Sequence, residues 1–158
     1  MTTTTSGLLA AGATAPDFTL KSTDDEDVTL STYRGESNVV LAFFPLAFTS
    51  VCTAEMCSFT EDFSLFQGVN AQVLGVSVDS VPTLKEFKAK HRIGIELLSD
   101  FKREVCRAYG TLIEEAFLSR RAYLIIDREG IVRWSFAETE LGDRRDNAEL
   151  LDQLRTLV

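Results

Sequence analysis

The chain has 158 residues, a formal net charge of −8 and 45% apolar residues, which suits one soluble domain with an ordinary core. No apolar run is long enough to span a bilayer, and an acidic chain repels phosphate backbones, which argues against nucleic acid as a partner. Three cysteines, Cys52, Cys57 and Cys106, are too few and odd in number for a disulfide framework; they leave buried thiols, metal ligands or reactive thiols.

The opening stretch MTTTTSGLLAAGATA holds a short apolar patch followed by small residues. The first basic residue is Lys21, so the cationic start of a secretory signal is missing. Residues 1–10 read as a mobile polar tail, which places the protein in the cytoplasm, with a single domain over 1–158. DFTL (17–20) and DVTL (27–30) flank the polar turn STDDE and predict an N-terminal hairpin. Residues 38–44 are apolar on both faces, as in a buried central strand, and Pro45 ends it because proline cannot donate to a ladder. Cys52, Met56, Phe59, Phe63 and Phe66 then recur at helical spacing, with Thr49 and Ser50 as caps.

A strand is expected over 71–79, then a helix opened by Ser80 and Pro82 and running to His91 with Leu84 and Phe87 inward. LLSD leads to a shorter helix, Phe101 to Tyr109, closed by Gly110. AYLIID and IVRWSF flank REG and read as a hairpin. Leu150, Leu151, Leu154, Leu157 and Val158 mark a last helix. This order, ββ then βαβα, a short helix, ββ and α, implies a mixed central sheet with helices on both faces. It is similar to the thioredoxin fold with an N-terminal β-hairpin extension; periodicity alone gives only α/β.

Cys52 falls in the first turn of its helix, where free N–H groups and the helix dipole favour thiolate over thiol. Thr49 lies within reach of the sulfur with a hydroxyl to donate, and Pro45 walls the loop without adding an N–H. Cys52 also begins the apolar stripe, so a small buried hydrophobe explains it equally well at this point. A metal site is poorly supported, because Cys-x4-Cys, one distant cysteine and His91 do not make four ligands. His91 reads as a helix-end residue, which leaves a Cys–His hydrolase without its base.

Pro45-x-x-x-Thr49-x-x-Cys52 resembles the active-site signature of peroxiredoxins, the thiol peroxidases. GATAPDFTL, LSTYRG, LGVSVDS, LLSDF and RAYLIIDREGIVR follow in the order such proteins show, from about residue 12 to about residue 136. The subgroup resembles the one-domain AhpE type, and CTAEMC is similar to bacterioferritin comigratory protein (peroxiredoxin Q). The resemblance implies Cys52 as the peroxidatic cysteine, Thr49 bonding the peroxide, Pro45 shielding the thiolate, and Arg121 rather than its neighbour Arg120 as the activating cation. Glu55 matches an acidic residue common in the family, yet reads as an ordinary solvent-facing helix residue.

The reaction implied is reduction of hydrogen peroxide or an organic hydroperoxide to the alcohol or water. Cys52 sulfenic acid is resolved as a disulfide with Cys57, or alternatively with Cys106 or an outside thiol, and recycled by a thioredoxin-like or other dithiol. Neither cofactor nor metal is implied; a homodimer is possible within the family. Two rivals compete. A thioredoxin-type disulfide oxidoreductase would show Cys-x-x-Cys and a proline before the late strand, and FLSRRA has none. A redox-sensing or chaperone-like interaction module would turn peroxide over slowly.

Overall fold

The computed structural model describes residues 7–140 and 143–157. The chain opens with the expected antiparallel hairpin, β1 (Thr19–Ser22) and β2 (Asp27–Thr29). A 3-10 turn, Leu30–Tyr33, leads into β3 (Asn38–Phe43). Then come α1 (Ser50–Glu61), α2 (Phe63–Gly68), β4 (Ala71–Ser77), α3 (Val81–His91), β5 (Glu96–Ser99) and α4 (Glu104–Tyr109). A small ribbon, β6 (Leu112–Ile113) and β7 (Leu118–Ser119), precedes the hairpin β8 (Ala122–Ile126) and β9 (Val132–Ala137), and α5 (Asn147–Arg155) follows.

The seven-stranded sheet has the order β2-β1-β5-β4-β3-β8-β9. Its centre is parallel, β3 on β4 and β4 on β5, while β8 runs antiparallel to β3 and β9 to β8. Strands β3 and β8 are buried along their whole length, which is why they read as unbroken apolar runs. Side chains alternate across the sheet. Val40, Ala42, Tyr123 and Ile125 face one core with Cys52, Met56, Phe59, Phe87 and the leucines of α5. Val39, Leu41, Phe43, Leu124 and Ile126 face the other, with Cys106 and Tyr109 of α4. Helices on both faces of a mixed sheet are the architecture expected from the thioredoxin-like resemblance.

The structure departs from the sequence reading at several points. The apolar stripe expected through Phe66 breaks at Asp62, where α1 ends and α2 begins. Phe63 is therefore turned outward and 37% exposed, while Phe66 returns to the core. The LLSD segment contributes a strand, β5, and the following helix begins at Glu104 rather than Phe101. Residues 1–6 of the expected tail and Val158 lie outside the described residues. Leu9 is fastened on both sides: its N–H donates to the Tyr109 carbonyl and its carbonyl accepts from the Ser135 hydroxyl. Gly110 (φ +77°) allows this, since a Cβ there would lie 1.8 Å from the Gly7 carbonyl oxygen.

The far end of α1 is anchored. The Asn147 amide of α5 donates to Ser58 Oγ and Asp62 Oδ2, both at 2.9 Å. The Gly94 N–H donates to Thr60 Oγ1 at 2.8 Å.

Candidate active site

The C-terminal end of β3 and the start of α1 meet the N-terminal end of β8, because Phe43 pairs with Ala122. The loop between β3 and α1 is held from below. Pro45 is buried, and the Ala47 N–H donates to the Asp79 carboxylate at 2.8 Å, which also accepts the Ser77 hydroxyl at 2.8 Å. Phe48 takes a left-handed φ of +68° and stays 45% exposed, its ring against Phe87 at 5.2 Å.

Thr49 occupies the N-cap position of α1, but its side chain makes no capping bond. Its hydroxyl donates instead to the Leu46 carbonyl at 2.8 Å. The sequence suggested a proton for the sulfur or peroxide; with that proton committed, Thr49 offers a peroxide its lone pairs.

Cys52 sits in the first turn of α1 and is fully buried. Arg121 Nη2 donates to its Sγ at 3.0 Å. Strand parity explains why Arg121 and not Arg120 arrives there. Tyr123 and Ile125 of β8 face the Cys52 core, so position 121 shares their side and position 120 has the opposite parity. The Arg120 N–H is used by the Thr111 carbonyl at 2.8 Å.

Glu55 is 1% exposed, not the solvent-facing residue expected. Its Oε1 accepts from Arg121 Nη1 at 2.7 Å, and its Oε2 accepts the Tyr123 hydroxyl. The signal was present in the sequence: position 55 lies three residues after Cys52 and one before Met56, inside the buried stripe. Tyr123 carries no such signal, reading in the sequence as one more apolar letter in a buried strand. Burial pushes the Glu55 carboxyl above the ordinary carboxylate range, opposed by the charge of Arg121 and the two hydrogen bonds. Burial works against the Arg121 charge too, but Glu55 and Cys52 outweigh it and hold the guanidinium protonated. Burial and the neighbouring Glu55 push the Tyr123 phenol up, so it remains a donor.

Cys57 is half-buried, further along α1. Cys106 is buried in the core on the other side of the sheet. Burial first, then Asp100, pushes its thiol up to about 12. All three cysteines are free thiols. His91 ends α3 with its ring against Phe87 (5.6 Å) and Phe48 (6.3 Å). Among the described residues, no three His, Cys, Asp or Glu side chains come together as a metal set. No helix among them is long and apolar enough to cross a membrane.

A buried sulfur at a helix start, with a guanidinium fixed at hydrogen-bond distance, is equipped for nucleophilic attack. It can attack an electrophile as a thiolate while an adjacent cation takes up charge on the leaving atom. Such chemistry suits a thiol-based peroxidase. The chain matches the AhpC/TSA family over residues 11–135. It is 40% identical over 154 residues to alkyl hydroperoxide reductase E of Mycobacterium tuberculosis, covering 96% of this chain and 99% of the relative. The solved peroxidoxin BcpB of Mycobacterium tuberculosis superposes with a TM-score of 0.86 at 28% identity, over 95% of this chain and 99% of that one. The reduced 2-Cys peroxiredoxin of Plasmodium vivax gives 0.86 at 31%, over 93% and 81%. The chain belongs to the AhpC/TSA family of peroxiredoxins, and it is a thiol peroxidase with a thioredoxin-like fold.

Proposed function

We propose that Cys52 is the peroxidatic cysteine of an AhpE-like enzyme, reducing hydrogen peroxide and organic hydroperoxides, with Cys57 as its resolving thiol. The observation that carries this is the Arg121 Nη2 to Cys52 Sγ contact of 3.0 Å, backed by Glu55. The thiolate attacks one peroxide oxygen and the O–O bond breaks. Cys52 becomes a sulfenic acid, and the other oxygen leaves as an alcohol or water after taking a proton. Arg121 stabilises the negative charge on the departing oxygen, and Thr49 and Pro45 shape the space it leaves.

Resolution joins Cys52 and Cys57 with loss of water, and an external dithiol then reduces the disulfide by exchange. Five residues along an intact helix put their Cα atoms roughly 8–9 Å apart, beyond the about 7 Å that a disulfide tolerates. The first turns of α1 therefore unwind for the bond to form. Cys106 is the weaker resolving thiol, since the sheet separates it from Cys52 and its sulfur is held protonated. The proposed setting is a reducing cytoplasm, in which three free thiols persist.

The experiment is single-turnover peroxide consumption by stopped flow, comparing the wild type with Cys52→Ser. Serine is nearly isosteric but not acidic enough to react, so peroxide should survive. Rapid consumption by the serine variant would remove Cys52 from the mechanism.

A further inference from the structure

Behind the Arg121–Cys52 contact runs a chain of hydrogen bonds that ends in the segment before α5. The Arg145 backbone N–H donates to the Tyr123 hydroxyl oxygen at 3.0 Å, and the Tyr123 hydroxyl donates to Glu55 Oε2. Glu55 Oε1 accepts from Arg121 Nη1 at 2.7 Å, and Arg121 Nη2 reaches Cys52 Sγ at 3.0 Å. Arg121, Glu55 and Tyr123 are each no more than 1% exposed.

The direction of every bond is fixed by which groups can donate. An amide N–H can only donate, so the phenol oxygen accepts from Arg145 and its single proton must go to Glu55. A guanidinium can only donate as well. Both Glu55 oxygens are therefore acceptors, and the ionised carboxylate is the form that fits this cage.

We propose that Tyr123 is a positioning residue for the peroxidase reaction, acting through Glu55 to fix the guanidinium of Arg121 against Cys52. The inference rests on the reading of Arg121 given above. A carboxylate gripped at one oxygen can swing about its last torsion, which is broad and soft. Gripped at both oxygens, it is set. The guanidinium is planar and rigid, so fixing Nη1 on Oε1 also fixes where Nη2 points. Charge stabilisation in a transition state depends on such donors being in place beforehand.

The far end of the chain is itself braced. The Arg145 side chain is bound to Glu138 at 2.8 Å and lies over the Phe136 ring at 4.5 Å. Glu138 in turn donates its backbone N–H to the Arg121 carbonyl at 2.9 Å. The brace thus returns to the residue it positions.

Tyr123→Phe keeps the ring and removes the oxygen. Peroxide consumption under single-turnover conditions is measured for the wild type, Tyr123→Phe, Glu55→Gln and the double variant, each checked for folding by urea unfolding. Tyr123→Phe should be roughly three- to tenfold slower than the wild type. The Tyr123 change should cost less in the Glu55→Gln background than in the wild type, because the amide keeps one acceptor oxygen and can otherwise offer the phenol oxygen only a neutral N–H. Equal factors in both backgrounds would mean that Tyr123 acts by packing, which overturns the inference. So would an unchanged rate in Tyr123→Phe. Should Tyr123→Phe fail to fold, Glu55→Gln still decides: a wild-type rate there overturns the inference. Arg121→Ala separates the two levels. If it is slow and Tyr123→Phe is not, the Arg121 reading stands and the Tyr123 inference falls. If Arg121→Ala is as fast as the wild type, both fall.

Discussion

Replacing Arg121 by methionine keeps much of the length and removes the charge, leaving Glu55 buried with one donor and without its bonded cation. Glu55 and Arg121 have side chains only 2% and 1% exposed, so solvent cannot substitute for the lost partner. Breaking one side of such a pair costs about 3–5 kcal/mol. For a domain of this size that is a fall in melting temperature of about 6–20 °C. Adding Glu55→Gln removes the stranded charge and should return more than half of the loss. The rate with peroxide should not return, because the donor to Cys52 is still missing; losing a hydrogen bond to a charged sulfur predicts about a ten- to hundredfold slower reaction. The pH dependence has a definite sign. The Glu55 carboxyl is raised by burial even with Arg121 present, so the folded chain holds that proton more tightly than the unfolded one. Its contribution to stability is complete below the ordinary carboxylate range and is lost as pH rises through the folded value. Without Arg121 the folded value rises further, so the deficit of Arg121→Met should shrink as pH falls toward about 4. Urea unfolding across pH, with stopped-flow rates for the same three proteins, measures all of this. A deficit untouched by Glu55→Gln, or one that grows on acidification, would refute the reasoning.

Other expectations come from single contacts. A Cβ at Gly75 would lie 2.8 Å from Leu97 Cδ2 and 3.2 Å from Met56 Sδ; Gly75→Ala should therefore destabilise by about 1–3 kcal/mol by overpacking α1 against the sheet, read by urea unfolding. Asp79→Ala frees the Ala47 N–H and should slow the peroxide reaction several-fold while leaving the core intact, seen as a rate loss without change in near-UV circular dichroism. One equivalent of peroxide should give a Cys52–Cys57 disulfide by peptide mapping, with loss of about two turns of helix in far-UV circular dichroism; a Cys52–Cys106 linkage would reject that assignment. Cys106, with its thiol pushed up to about 12 from 9.0, should resist alkylation at neutral pH. Its contribution to stability should be lost between those two values as pH rises, and Cys106→Ala should flatten that fall.

Much of the fold was legible because the sheet is buried on both faces. Apolar runs marked β3, β4 and β8, and Ser80–Val81–Pro82 marked the start of α3, where Ser80 does accept from the Thr83 N–H. β5 is not legible, because four residues between two helical segments carry too short a pattern to declare a strand, and what makes it one is its pairing with Ser22 and Leu74. β6 and β7 are two residues each, below any periodic signal. The break at Asp62 was hidden because Phe63 and Phe66 continue the spacing on paper. In the site, Cys52 and Arg121 could be placed from the family motif, but the Glu55–Tyr123 contact spans 68 positions. No local pattern carries such a pairing. Glu55 alone could have been suspected from lying within an apolar stripe.

Asn147 and Gly94 tie one end of α1 by hydrogen bonds to Ser58, Asp62 and Thr60. If the first turns unwind at each oxidation, Ser58–Glu61 remains wound as a stub. Rewinding then extends an existing helix and avoids the unfavourable first turn that a free segment must form. Such growth takes about nanoseconds per residue, and even full helix–coil relaxation takes only about a microsecond. Rewinding would then be too quick to register in the turnover rate.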